Sequence, residues 1–343
     1  MRIVIAARTD KRAWDAYVDS SPMAGPYHRY AWLEAVSDAY GFAAIPLAAE
    51  CDGQVVGILP LVRMCTPGRT GRWVSLPYCD YGGPLAEDEA TCTRLVEYAL
   101  DLAGQQGDSL VTVRRCGVSE SGCGKVLMRL ALPEAGEALL QAFPAKLRSQ
   151  VLKPVREGLT AISGGAELLD AFYAVLARNM RDLGSPTHSL AWFRAVARAF
   201  GPLCRVWLVR LPDGQLAAAG LTLSQGRLTS LPWASSLREH NRTNANMLLY
   251  WSMLAQAADD GQTTFDFGRS SPGGGTYRFK RQWGAGASGL QWATYDVSTG
   301  GLRPEEPATG PNGLRRLAEF CWRRLPLPVA NRVGPCLRRH ISL

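Results

Sequence analysis

Apolar positions along this chain follow helical and strand periods in turn, and the order occurs twice. Residues 28–40 place Tyr30, Leu33, Val36 and Tyr40 at three- and four-residue spacing. That spacing predicts a helix with one apolar face, stopped by Gly41. Two β-prone runs follow, 43–50 and 54–62, joined by Asp52-Gly53. The dipeptide predicts a hairpin, because Gly accepts the positive φ of a tight turn without steric cost. A third strand is expected at 72–78, a helix at 88–106 and a strand at 109–115. The second series is a helix at 189–200, strands at 204–211, 215–224 and 227–233, a helix at 245–260 and a strand at 263–268.

The residues repeat along with the pattern. Ala31-Trp32-Leu33-Glu34-Ala35-Val36 returns as Ala191-Trp192-Phe193-Arg194-Ala195-Val196, and Asp52-Gly53-Gln54 as Asp213-Gly214-Gln215. Ser75-Leu76-Pro77-Tyr78 returns as Ser230-Leu231-Pro232-Trp233. A period this long implies duplicated domains rather than a solenoid. Each unit reads as helix, β-meander, helix, strand. This is an α/β (α+β) fold with a mixed, largely antiparallel sheet, not a doubly wound one. Trp32 and Trp192 at matching places read as core. The expected divisions are 1–143, 144–298 and 299–343. Residues 144–158 read as a basic helical segment interrupted by Pro154, and 299–313 as a Gly/Pro-rich linker.

Composition narrows the classes. No apolar run is long enough to span a bilayer, and Met1–Arg8 reads as a first strand rather than a leader. Nine cysteines lack any Cys-x-x-Cys pair and the four histidines do not cluster with them. This argues against a metal site or a disulfide framework and for a reducing cytoplasm. A net charge of +8 points equally to an anionic partner and to a basic surface kept for solubility.

The copies differ after their last strands. The second continues from Phe265-Asp266-Phe267-Gly268-Arg269 through Ser270-Ser271-Pro272-Gly273-Gly274-Gly275 into Thr276-Tyr277-Arg278-Phe279-Lys280-Arg281-Gln282-Trp283-Gly284. A glycine-rich turn can offer backbone N–H groups to an anion. If 276–283 is a strand, Tyr277, Phe279 and Arg281 share one face and Arg278, Lys280 and Gln282 the other. Lys280 could then hold a phosphate or a developing oxyanion. A solvated basic edge strand fits the composition at least as well. No Gly-Lys-Ser/Thr follows, so this is not a Walker A loop.

Taken together, these motifs resemble the FemA/FemB/FemX group of aminoacyltransferases, and most closely the FemAB-like proteins associated with the PEP-CTERM/exosortase system. The likeness rests on Gly275-Thr276-Tyr277-Arg278-Phe279-Lys280-Arg281-Gln282-Trp283-Gly284-Ala285, Asn179-Met180-Arg181-Asp182-Leu183-Gly184, Pro232-Trp233-Ala234-Ser235-Ser236 and Lys146-Leu147-Arg148-Ser149-Gln150. It covers nearly the whole chain. The resemblance implies two tandem GNAT-like domains that move an amino acid from tRNA to an amine of a peptidoglycan, exopolysaccharide or lipid-linked precursor. It implies that Lys280 is catalytic and that Arg181 and the Tyr81-Gly82-Gly83-Pro84 loop contact the acceptor. Arg269, Tyr277, Arg278 and Arg281 flank Lys280 and are candidates for substrate binding. The long helical arm of the bridge enzymes is missing, so the donor is aminoacyl-tRNA or acyl-CoA, with no bound cofactor.

Asp266 is the candidate base, although capping of the following glycine turn is the favoured reading. No Ser-His-Asp or Cys-His arrangement supports a covalent intermediate. Cys79 reads as a small buried thiol, and His188 and His240 as structural or surface residues. Residues 314–343 carry seven arginines against Glu319. The tail reads equally as a basic amphipathic segment on the anionic cytoplasmic face of the inner membrane and as a helix packed across the domains. A different class of function is also open: a non-catalytic duplicate-GNAT scaffold binding an anionic glycan, lipid or RNA.

Overall fold

The two Asp-Gly turns close matching hairpins, Ala43–Cys51 with Gln54–Met64 in the first copy and Cys204–Arg210 with Leu216–Gln225 in the second. The computed structural model describes residues 1–6, 10–65, 70–118, 124–303 and 313–342, so most of the Gly/Pro-rich stretch lies outside the described residues. The first copy gives β1 (Arg2–Ile5), α1 (Lys11–Ser20), α2 (Tyr30–Tyr40), β2 (Ala43–Cys51), β3 (Gln54–Met64), β4 (Arg72–Ser75), β5 (Leu85–Ala86), α3 (Glu89–Gln105) and β6 (Leu110–Val118). Next come β7 (Val126–Ala131), α4 (Gly136–Ala142), α5 (Ala145–Arg156) and β8 (Thr160–Gly164). The second copy gives α6 (Leu169–Leu183), α7 (Leu190–Phe200), β9 (Cys204–Arg210), β10 (Leu216–Gln225), β11 (Leu228–Ser236), α8 (Ala245–Asp259) and β12 (Thr264–Ser270). The chain closes with α9 (Gly275–Gln282), β13 (Gly286–Asp296), α10 (Gly313–Trp322) and α11 (Leu327–Arg338).

Local chemistry accounts for most boundaries. Asp52 and Gly53 both take positive φ, 51° and 78°, and close the β2–β3 hairpin with Cys51 facing Gln54. Asp88 and Ser189 cap α3 and α7 by accepting the N–H groups of Thr91 and Trp192, as short polar caps do. The strand expected at 72–78 stops at Ser75, since Pro77 cannot donate to a ladder. The helix over 145–156 passes through Pro154 instead of breaking there. Only its final turn lies beyond the proline, so a single ladder bond is lost.

Contacts divide the chain into two units. One is Met1–Leu127 with Ala287–Ala308 and His340–Leu343, and the other is Met128–Gly286 with Thr309–Arg339. This differs from the expected divisions because α4 packs on α8 and β13 pairs with β6. In the first unit the strand order is β1-β2-β3-β4-β6-β13. The neighbours are antiparallel except for the parallel pair β4–β6. In the second unit the order is β7-β12-β11-β10-β9-β8, with β11–β12 parallel and β8 to β11 antiparallel. Each plan is a meander, then a parallel joint, then one further strand. The strand beside β6 is β13 and the strand beside β12 is β7, so the copies exchange their last strands.

In the first unit, Leu47, Leu59, Leu61, Trp73, Leu95 and Val111 form one buried cluster with the inner face of α3. In the second, α6 and α8 both pack on β9, β10 and β11. Trp32 and Trp192 are fully buried, as core positions require. The tail helices α10 and α11 both pack on α6 in the second unit.

Candidate functional site

The parallel joint of the second unit opens partway along. β11 and β12 share three residue pairs, Leu228 with Thr264, Thr229 with Phe265 and Ser230 with Asp266. Both strands then continue, to Ser236 and Ser270, without further mutual pairs among the described residues. On its other edge β11 stays paired to β10 as far as Ser236. Two parallel strands that part leave backbone N–H and C=O groups for a ligand at their carboxyl ends. Ser230, at the last shared pair, and Ser270, at the end of β12, bury hydroxyls with no hydrogen-bond partner among the described residues. Buried hydroxyls of this kind are costly unless something engages them.

The segment after β12 is a helix, α9, not the strand that cation–aromatic alternation suggested. Gly273 takes φ 71°, and Gly274 donates to the carbonyl of Ser271, closing the turn. Arg, Lys and Gln then favour a helix over an exposed strand. Helical spacing sets Tyr277, Lys280 and Trp283 on one side, with Arg278 and Arg281 facing out. Lys280 is buried, only 7% exposed. Its Nζ donates to the carbonyls of Gly268 at 2.9 Å and Arg269 at 2.8 Å. Those carbonyls lie on the part of β12 that has left β11. They solvate a buried ammonium that would otherwise be costly.

Aromatic packing holds α9 in place. Trp283 packs edge-on against Phe143 at 5.5 Å, and Phe279 edge-on against Tyr250 at 4.9 Å. Tyr250 stacks on Phe267 of β12, and burial pushes its phenol up to about 12. Asp266 is buried; Oδ1 accepts from Gly268 N–H at 2.7 Å and Oδ2 faces Arg129 Nε at 3.4 Å. The carboxylate thus bonds the backbone of β12 itself, at Gly268, and not the glycine turn after the strand. Arg278 and Arg281 donate to the carbonyls of Gly273 and Ala285, fixing the two ends of the α9 segment.

The remaining sequence candidates lie elsewhere. Arg181, near the end of α6, donates to Asp182 at 2.6 Å and to the carbonyl of Leu325 at 3.2 Å, so it ties α6 to the tail. Tyr81 belongs to the first unit and is fully buried, edge-on to Tyr27 at 5.0 Å. It lines a cavity of about 260 Å³ with His28, Gly83, Arg114 and Arg115. Arg114 there donates to the carbonyls of Leu76 and Cys79 and lies 5.0 Å over Trp292. Burial pushes the Cys79 thiol well up, so it stays protonated. One contributor carried no sequence signal, and one contact joins two motifs that the sequence shows only separately. Arg129 comes from β7, outside both repeats. The Asn179–Ser235 hydrogen bond, 3.1 Å, joins α6 to β11 across a separation that periodicity cannot see.

Residues 145–281 match the family model for the GNAT acetyltransferase domain. This span takes in β11, β12 and Lys280. No curated protein sequence matches the chain. Among solved structures, FemX superposes with a TM-score of 0.67 at 16% identity, covering 85% of this chain and 97% of that one. The C-terminal domain of a putative lysylphosphatidylglycerol synthetase from Agrobacterium fabrum gives 0.56 at 12%, covering 83% and 91%. A tandem GNAT protein from the clavulanic acid biosynthesis pathway gives 0.53 at 14%, covering 89% and 99%. At such identities the likeness is one of fold. The protein shares its fold with FemX and with the tandem GNAT protein, and the stretch of its second copy up to Arg281 matches the GNAT acetyltransferase domain.

Proposed function

We propose that the second unit transfers an activated aminoacyl or acyl group to an amine of a cell-envelope precursor. The observation that carries this reading is the buried Lys280 ammonium, held by carbonyls of β12 where that strand leaves β11. In the step, the acceptor nitrogen attacks the donor carbonyl carbon. The ester or thioester bond breaks, and the leaving oxygen or sulfur takes up the proton the nitrogen loses. Charge builds on the carbonyl oxygen and then on the leaving atom. A cation fixed in advance stabilises both without reorganising. Asp266 serves this indirectly: it holds the N–H of Gly268, whose carbonyl holds Lys280. Tyr277 and Arg269 flank the lysine as substrate contacts, and Arg278 and Arg281 keep the segment in shape. The unpaired hydroxyls of Ser230 and Ser270 suit an extended donor lying in the opening between the strands. The neighbours named FemX and lysylphosphatidylglycerol synthetase favour an envelope acceptor, and the donor is aminoacyl-tRNA or acyl-CoA.

The test offers both donors and amine-bearing envelope precursors to purified protein. Lys280→Ala is expected to lower kcat by about 10²-fold or more with the cooperative melt retained. A variant transferring at the wild-type rate would remove Lys280 from the chemistry. Absence of turnover in the parent, with glycan, lipid or RNA binding that weakens steeply with salt, would replace the enzyme by a scaffold.

A further inference from the structure

The tail helices leave large apolar residues exposed, and α11 turns small residues inward. On α11, Ala330 and Gly334 are buried, whereas Val329, Val333 and Leu337 are exposed. A Cβ added at Gly334 would touch the backbone of Thr187 and the ring of Trp322 at 3.4–3.5 Å, which marks this side of α11 as the packed one. On α10, Leu317 and Phe320 are 58% and 52% exposed. Of the fourteen large apolar side chains left exposed among the described residues, six fall within 313–342. Both helices pack on α6, and Trp322 at the end of α10 lies against Gly334 of α11, so the two are neighbours in this unit. Water disfavours such a surface, and monomeric proteins seldom gather one without a partner.

The charges around it choose the partner. Arg316, Arg323, Arg324 and Arg332 are exposed beside these residues, while Glu319 is the sole acid in the segment and is half-buried. The Arg324 guanidinium lies 3.4 Å over the Phe320 ring, so cation and apolar group are presented together. No helix is long and apolar enough to cross a membrane among the described residues. We infer that α10 and α11 form a docking surface for an anionic lipid bilayer. The apolar row enters the acyl boundary and the arginines meet the headgroups. This binding is independent of the transfer reaction, and Lys280→Ala should leave it unchanged.

Flotation of the full chain with vesicles of phosphatidylcholine alone, or with phosphatidylglycerol added, tests the inference. Binding is expected only to the anionic vesicles, weakening with salt. Phe320→Ser/Val333→Ser/Leu337→Ser, all at exposed positions, should lower the partition coefficient at least tenfold at unchanged Tm. Arg316→Glu/Arg324→Glu should lower it likewise. Equal binding of the triple variant, or no binding to anionic vesicles, overturns the proposal. It is also overturned if the triple variant converts a dimeric parent to a monomer, which would make the face a self-interface. Loss of tRNA binding with vesicle binding intact would assign the face to RNA instead.

Discussion

His188 is the residue whose burial most clearly sets a pH dependence. It is 2% exposed, packed against Trp192, Phe193 and Trp233. Burial first, and the nearby charge of Arg338 second, hold its pKa well below the ordinary 6.5. Above that value the imidazole is neutral in both folded and unfolded chains and contributes no slope. Below it the unfolded chain takes up a proton that the folded chain refuses, so stability falls as pH falls. The limiting slope is about 1.4 kcal/mol per pH unit for one proton. Chemical denaturation between pH 7.5 and 5.5 should show this decline, and His188→Phe should flatten it. The same slope in the variant would assign the decline to other groups. Sequence reading took His188 as a structural or surface residue, and burial of its ring among aromatic side chains is what a sequence cannot display. Lys280 was legible only as a position: the motif singled it out, but its two carbonyl partners could not be read from it.

At the scale of elements, a buried carboxylate joins three strands of the first unit. Asp108, just before β6, accepts from Arg63 on β3 through Nε and from Trp73 Nε1 on β4 at 2.8 Å. Burial opposes its charge, but Arg63 and Trp73 outweigh that and hold the carboxyl below its ordinary value. The fit is close, since a Cβ on Gly71 would come within 2.5 Å of Asp108 Oδ1. Asp108→Ala leaves the buried Trp73 N–H without its acceptor and frees a part-exposed Arg63, and should cost about 1–3 kcal/mol, read as a lower urea midpoint with an unchanged m-value. A loss under about 1 kcal/mol would mean that the Trp73 N–H finds water instead. The hairpins and capped helices were legible because Asp-Gly and Ser or Asp caps act over a few residues. α9 was not, since alternating cations and aromatics satisfy a strand pattern and a short helix equally. Its packing on Tyr250 and Phe143 decides between them.

Duplication could be read from the whole molecule's sequence, but the exchange of strands could not, because a repeat records what each copy contains and not which sheet receives it. In the first unit, β13 pairs with β6 from Gly289 opposite Val118 to Asp296 opposite Leu110. Trp292 of that strand underlies Arg114, and Ser342 accepts from the N–H of Tyr78 and from Arg114. Residues 1–143 alone therefore keep the meander but lose the last strand and partners of a buried cation. An uncompensated buried charge costs several kcal/mol, and an open β6 edge invites association. Both losses compare with the 5–15 kcal/mol that holds a domain together. The fragment 1–143 is expected to lack a cooperative melt by near-UV circular dichroism. A chain joining 1–118 through a flexible linker to 287–303 should regain one, because the strand and the Trp292 platform return together. A cooperative melt of 1–143 on its own would show that β13 completes the sheet without being needed to fold it.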